Sequence, residues 1–300
     1  MVREETQHVL RLLEIAGRTE VPVYQGAEFP LLNSKEETER WEALYGRIPY
    51  KGCWTDRFPP GRSTVLEHVY HPPEVVPPLP EGNPAIQAAP GTAAQFMVEA
   101  VRKFPGEVVL WSGAPLTNIA RALRLDAEVA TLARELVVMG GGFYADRGGA
   151  NPTDARREFN WWFDPEAARI ALRAPWKKVT ITPIDISVKT RLGPSLRHQI
   201  AQAGTPLTDY LSRCSLEGYM WDEIAGIALI EPSIITAERT MYVDVDIDHG
   251  PSYGMTLFWE TSNIVPPYLR PATVQFDLDT ERFYRTYFDL MTRPAGSGSR

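Results

Sequence analysis

From residue 91 to the end of the chain, short apolar runs alternate with amphipathic stretches, and this alternation restricts the fold more than any other feature. The periodicity predicts helices over 92–104, 116–125, 165–173, 196–203, 208–230 and 281–291, and strands over 108–111, 135–139, 179–186, 242–247 and 274–278. Strands interleaved with helices imply an α/β fold, an open and mostly parallel sheet covered on both faces. Before residue 91 the pattern is weaker. Val9, Leu10, Leu13 and Ile15 share one side of a helix over 3–16, with Gly17 as its stop, and 21–24 reads as a short strand. Residues 28–90 are proline-rich and irregular, and their aromatic content suits a packed lid. We therefore expect one domain over 1–293, with a flexible Gly/Ser-rich tail over 294–300.

Three bulk properties narrow the partners. The net charge of −7 argues against nucleic acid. Cys53 and Cys214 are too few and too isolated for a disulfide framework and make no metal-spaced pair. No apolar run is long enough to span a bilayer, and residues 1–17 are too charged for a secretory h-region. The expectation is a cytoplasmic protein with a small-molecule ligand and no membrane partner.

Polar residues concentrate in one place. The apolar run Val137-Val138-Met139 enters Gly140-Gly141-Gly142, a polar loop follows, and Glu158 and Asn160 then stand two residues apart, just before Asp164-Pro165-Glu166 opens a helix. Open α/β sheets bind ligands beyond the C-terminal ends of their strands. A carboxylate beside a carboxamide suits a hydroxyl-rich ligand such as a sugar. A second candidate is Asp222. The residues Leu216, Met220, Ile224 and Ile227 form an apolar stripe, widened by Ala225, Ala228 and Leu229. That places Asp222 near the interior, where a carboxylate needs a cation or donors. A capping or salt-bridged aspartate is the alternative.

Taken in order, Val108 to Ala120 with its Gly113-Ala114-Pro115-Leu116-Thr117-Asn118 turn, Val138-Met139-Gly140-Gly141, Glu158-Phe159-Asn160, Asp164-Pro165-Glu166-Ala167-Ala168 and Asp222-Glu223 resemble the inosine–uridine-preferring nucleoside hydrolase family. Residues 10–18 and 21–27 resemble that family's early helix and strand. The resemblance implies hydrolysis of the N-glycosidic bond of ribonucleosides, through an oxocarbenium-like transition state, with Ca²⁺ holding the attacking water and the ribose diol. By motif, Asp222 and the backbone carbonyl of Gly113 correspond to metal ligands. Glu158, Asn160 and Asn151 correspond to sugar contacts, although the Asn151–Glu158 spacing is one residue longer than the pattern. Met139 corresponds to the pocket floor. Met139 as plain core and Asn118 as a helix-entry cap are the competing readings. Homo-oligomers are common in the family.

Two departures stand out. Trp221 occupies the position where some members carry a histidine acid; it cannot donate a catalytic proton but can stack on a nucleobase. His68, in the irregular segment, is a remote substitute. The family's opening Asp-x-Asp-Pro-Gly-x-Asp-Asp cluster, which holds the general base and further Ca²⁺ ligands, has no counterpart in these residues. The first strand, first helix and second strand of the pattern, roughly fifty residues by the usual size of such a unit, are expected to be missing. No general base is therefore assigned. The expected activity of the chain is weak, and a catalytically inactive homologue that binds ribosides or serves as an assembly subunit is the alternative. The run Val243-Asp244-Val245-Asp246-Ile247-Asp248 is expected to be a strand with its aspartates on a solvated face rather than a Ca²⁺ loop.

Overall fold

The computed structural model describes residues 2–48, 50–55, 71–144, 157–215, 217–260 and 264–293. Helix α1 (Val2–Ile15) ends where Gly17 takes a φ of 65°, the left-handed conformation that a side chain disfavours. The expected strand at 21–24 does not form. This stretch is extended, but its carbonyls are taken by a loop and a helix entry: Ala89 N donates to Val23 O at 2.8 Å and Ala93 N to Gln25 O at 3.0 Å. Within the irregular region lies helix α2 (Lys35–Tyr45), started by the Ser34 side chain accepting from Glu37 N. Its sequence carries few apolar residues, so periodicity gave no sign of it.

The regular part follows the expected alternation. Helix α3 (Ala93–Lys103) carries a reciprocal cap between Thr92 and Gln95. Strand β1 (Val109–Ser112) leads to α4 (Thr117–Leu125) and α5 (Val129–Leu132), and strand β2 (Glu135–Met139) leads towards α6 (Phe159–Phe163) and α7 (Pro165–Arg173). Strand β3 (Val179–Thr182) is shorter than expected. Pro183 has no N–H to donate, and the next amide, Ile184 N, bonds to Gly141 O at 3.0 Å, so the chain turns into α8 (Ile184–Ser187). Then come β4 (Arg191–Leu192), α9 (Pro194–Ala201), α10 (Pro206–Cys214), β5 (Gly218–Tyr219) and α11 (Trp221–Ile230). The single helix expected over 208–230 is thus two, because β5 interrupts it and pairs antiparallel with β4. Leu216 lies outside the described residues. The chain ends with β6 (Ile235–Val245), β7 (Thr256–Trp259), β8 (Pro271–Leu278) and α12 (Thr280–Thr292).

The main sheet has the order β1-β2-β3-β8-β6-β7. Strands β1, β2, β3 and β8 run parallel, while β6 pairs antiparallel with β8 and β7. The expected open, mostly parallel α/β sheet is therefore present, with an antiparallel edge. Strand β2 is buried along its whole length, as in a sheet covered on both sides. One core cluster packs α3, α4 and α7 on β1, β2, β3 and β6, and a second packs α9, α11 and α12 together. Among the described residues, no helix is long and apolar enough to cross a membrane, and both cysteines are free.

The aspartates after Val243 do not form a solvated face. Asp244 is 1% exposed and is clamped by Arg169 and Arg173, four residues apart on α7, with Nη2–Oδ2 distances of 3.3 and 2.5 Å. Helix α7 packs across β6, which removes water from that position, and two guanidiniums offset the cost of burying the carboxylate. Asp246 lies beyond the strand end, where it accepts from Asp248 N and the Ser252 hydroxyl. Asp244→Ala is expected to lower stability by about 3 kcal/mol, since it leaves two guanidiniums unpaired; urea unfolding of the two chains measures this.

Candidate functional site

The parallel pairing of β1 and β2 sets Ser112 opposite Val138, so the residues that follow, Gly113 and Met139, emerge side by side at the C-terminal edge of the sheet. Gly140 and Gly141 come next. A Cβ on Gly140 would lie 2.3 Å from the Trp161 indole nitrogen, and one on Gly141 2.6 Å from the same ring, so both glycines are required by the close approach of α6. This approach brings the Gly141 amide to Glu158.

Glu158 is buried and caps α6. Its Oε2 accepts from Gly141 N at 3.0 Å and Trp161 N at 3.3 Å, and its Oε1 from Asn160 N at 2.8 Å. Burial nevertheless outweighs these three donors and pushes the carboxyl up to about 7. Asn160 is oriented by its amide nitrogen, which donates to Met139 O at 3.1 Å and leans on Gly113 O at 3.5 Å and Met139 Sδ at 3.2 Å. Nothing among the described residues donates to its Oδ1, which remains an acceptor for a ligand. Met139 is therefore both core, at 3% exposure, and part of the site.

Asp222 corrects an expectation. The apolar stripe is buried as read, at Met220, Ile224 and Ile227, but Asp222, in the first turn of α11, is exposed at the rim. Its carboxyl faces Gly113: a Cβ there would lie 2.7 Å from Oδ1. The inner side of this carboxyl is crowded by protein and faces Glu223 and Glu158, which raises it to about 7, while its open side stays screened by water. Trp111, 41% exposed, stands at the same point with its ring edge 2.5 Å from the Gly113 Cβ position, and Trp221, 39% exposed, directly precedes Asp222 and packs near Tyr219. Trp111 was missed from sequence because a tryptophan in a strand reads as core; a large aromatic directly before a Ser-Gly turn at a strand's C-terminal end was the available signal.

Asn118 is neither helix cap nor site residue. Its Oδ1 accepts from Ala27 N at 2.9 Å and fastens the 21–27 stretch to α4. Asn151 and His68 lie outside the described residues. The residues present do not by themselves fit Ca²⁺, which takes six to eight oxygens. Asp222 supplies one carboxylate and Gly113 one carbonyl, both oxygens of Glu158 already serve backbone amides, and among the described residues no group of three His, Cys, Asp or Glu is placed to hold a metal ion.

An α/β sheet that gathers a carboxylate, a carboxamide and an acid at its C-terminal edge is a ligand-binding α/β protein. Residues 1–285 match the model of the inosine-uridine preferring nucleoside hydrolase family, and the chain belongs to that family. An inosine-uridine preferring nucleoside hydrolase of Leishmania major is 26% identical over 305 residues, covering 96% of this chain and 84% of that one. Among solved structures, a plant nucleoside hydrolase superposes with a TM-score of 0.73 at 21% identity, covering 98% of this chain and 87% of its own. A purine-preferring ribonucleoside hydrolase from Gardnerella vaginalis gives 0.72 at 22% identity, covering 96% and 85%.

The site carries a measurable pH signature. The folded state holds the Glu158 proton up to about 7, against an ordinary value of 4.5. Its contribution to stability is thus complete below pH 4.5 and is lost as pH rises through about 7, a change on the order of 3 kcal/mol. Urea unfolding from pH 4.5 to 8 should show a larger loss in the parent chain than in Glu158→Gln, which keeps only the share of Asp222 and the other raised acids; parallel profiles would contradict it.

Proposed function

We propose that this chain is built to bind a ribonucleoside at the C-terminal edge of its sheet and that its chemistry is hydrolysis of the N-glycosidic bond to ribose and free base. The observation that carries this reading is the convergence of Glu158, Asn160, Met139 and Gly113 on one point facing Asp222. Asn160 offers Oδ1 to a sugar hydroxyl, and Glu158 Oε1, which serves one backbone amide where Oε2 serves two, keeps an acceptor site. Near neutrality Glu158 is able to give or accept a hydrogen bond. Trp221, open to solvent beside Asp222, offers an aromatic face to the base. Asn151 is assigned to the sugar by motif alone.

Ca²⁺ is the metal that membership of the family suggests, with Asp222 and Gly113 as its ligands in this chain. Since these two do not complete a calcium site, no step is routed through the ion. No general base is assigned in this chain, because the family's opening aspartate cluster has no counterpart in its sequence. Hydrolysis by these 300 residues is therefore expected to be weak. The same reading takes the chain as one domain over residues 1–293, cytoplasmic and homo-oligomeric.

Calorimetry with inosine and uridine tests binding, with and without Ca²⁺, and release of reducing sugar tests turnover. Asn160→Ala should weaken riboside binding about tenfold, the usual effect of leaving a buried polar partner unmatched. Trp221→Ala should weaken it about fivefold through lost stacking. Riboside binding without turnover would favour an inactive homologue that serves as a binding or assembly subunit. Absence of binding heat for either nucleoside would overturn the reading.

A further inference from the structure

A cavity with an apolar wall and a cluster of charged side chains lies away from Glu158 and Asn160, between α4, α7 and the end of β6. It has a volume of about 540 Å³ and is lined by Arg124, Arg169, Arg173, Glu166 and Ile247, among others. Its charges are unequal. Arg169 and Arg173 share one carboxylate, the buried Asp244, each through Nε and Nη2, so the cluster carries a surplus positive charge; Arg169 keeps its other amino group for a ligand, while Arg173 is also engaged by Tyr268. Arg173 also lies over the Tyr268 ring, with its guanidinium carbon 4.2 Å from the centroid, which fixes its plane. Arg124, near the end of α4, has no ion-pair partner among the described residues. Glu166 is the opposing acid, and it is already engaged: the Tyr253 hydroxyl donates to both its oxygens at 3.1 Å, and His249 Nε2 stands 3.8 Å away.

A cavity with three guanidiniums, two of them held in place by a buried acid, matches a compact dianion with several oxygens, because guanidinium and phosphate pair through two parallel hydrogen bonds. We propose that this cavity binds a phosphate group, as inorganic phosphate or as a phosphomonoester. The pairing of Arg169 and Arg173 with Asp244 orients them before the ligand arrives, and Arg124, exposed at the cavity's rim, adds a further positive charge. A purely structural role would explain Arg169 and Arg173 through Asp244, but it leaves Arg124 without a task at this cavity.

The test is isothermal titration of the full chain, at constant ionic strength in chloride buffer, with inorganic phosphate, ribose 5-phosphate and neutral ribose. The parent chain should show one saturable phosphate site. Arg124→Gln, a surface change remote from the sugar-facing residues, should weaken it at least about tenfold, the effect of one charged hydrogen-bonded contact. Arg124→Lys should fall between, since an ammonium keeps the charge but not the paired geometry. Tighter binding of ribose 5-phosphate than of inorganic phosphate, lost in Arg124→Gln, would identify a sugar phosphate as the ligand; equal binding, lost in the same way, would identify the free ion. No saturable phosphate heat, or an affinity unchanged in Arg124→Gln, would overturn the proposal.

Discussion

The carboxylate of Asp164 is the joint on which the site depends. It is fully buried and accepts from three directions: Leu31 N at 3.0 Å, the Thr117 hydroxyl at 2.6 Å and Ala167 N at 3.2 Å. One side chain thereby fixes the irregular N-terminal region, the entry of α4 and the start of α7 relative to each other. Burial pushes this carboxyl up from its usual range, so the three donors oppose a real desolvation cost. The helix that carries Glu158 and Asn160 ends at Asp164, and α4 begins after the Gly113 turn. The joint therefore sets the Gly113 turn and the Glu158–Asn160 segment in register.

Around that joint the molecule solves the same problem repeatedly: an acid is buried and then given donors. Glu158 receives three backbone amides, Asp244 receives two guanidiniums, and Glu166 receives a tyrosine hydroxyl. Asp222 is the exception. It faces two other acids and stays at the rim, where water screens it. Unmatched polar groups at the mouth of a sheet are the groups left over for a ligand, and the free Oδ1 of Asn160 falls in the same class. The lid-like region also contributes structure: Trp41 of α2 donates to Gly250 O at 2.9 Å, and Arg157, 4.7 Å above the Trp41 ring, donates to Pro251 O and Tyr253 O. The residue directly before Glu158 is thus gripped between α2 and the loop that joins β6 to β7.

Where local signals were strong, the sequence was legible. Asp164 with Pro165 marked a helix start that the structure reproduces, because a cap is a contact between residues three apart. The alternation of apolar runs gave β1, β2, β3 and β8 and their parallel order. It failed where long-range partners decided the outcome. The 21–24 stretch has strand-like residues but bonds to a loop and a helix entry. Asp244 looked solvated by strand alternation until α7 crossed it with two arginines. Strand β7 and helix α2 carried no clear period and went unread.

The sequence by itself determined the family and the α/β class, and it singled out Glu158, Asn160, Gly113, Met139 and Asp222 as candidates, since each sits in a short motif whose order along the chain survives without coordinates. Only the tertiary structure decided how these residues are used. Parallel pairing of β1 with β2 brought Gly113 beside Met139, and the approach of Trp161 to Gly140 and Gly141 delivered an amide to Glu158. The start of α11 left Asp222 at the rim rather than in the core. The reason is physical: motifs record which groups are available, whereas burial and the distances between strands fix which donors each acid meets, and therefore which polar atoms remain for a ligand.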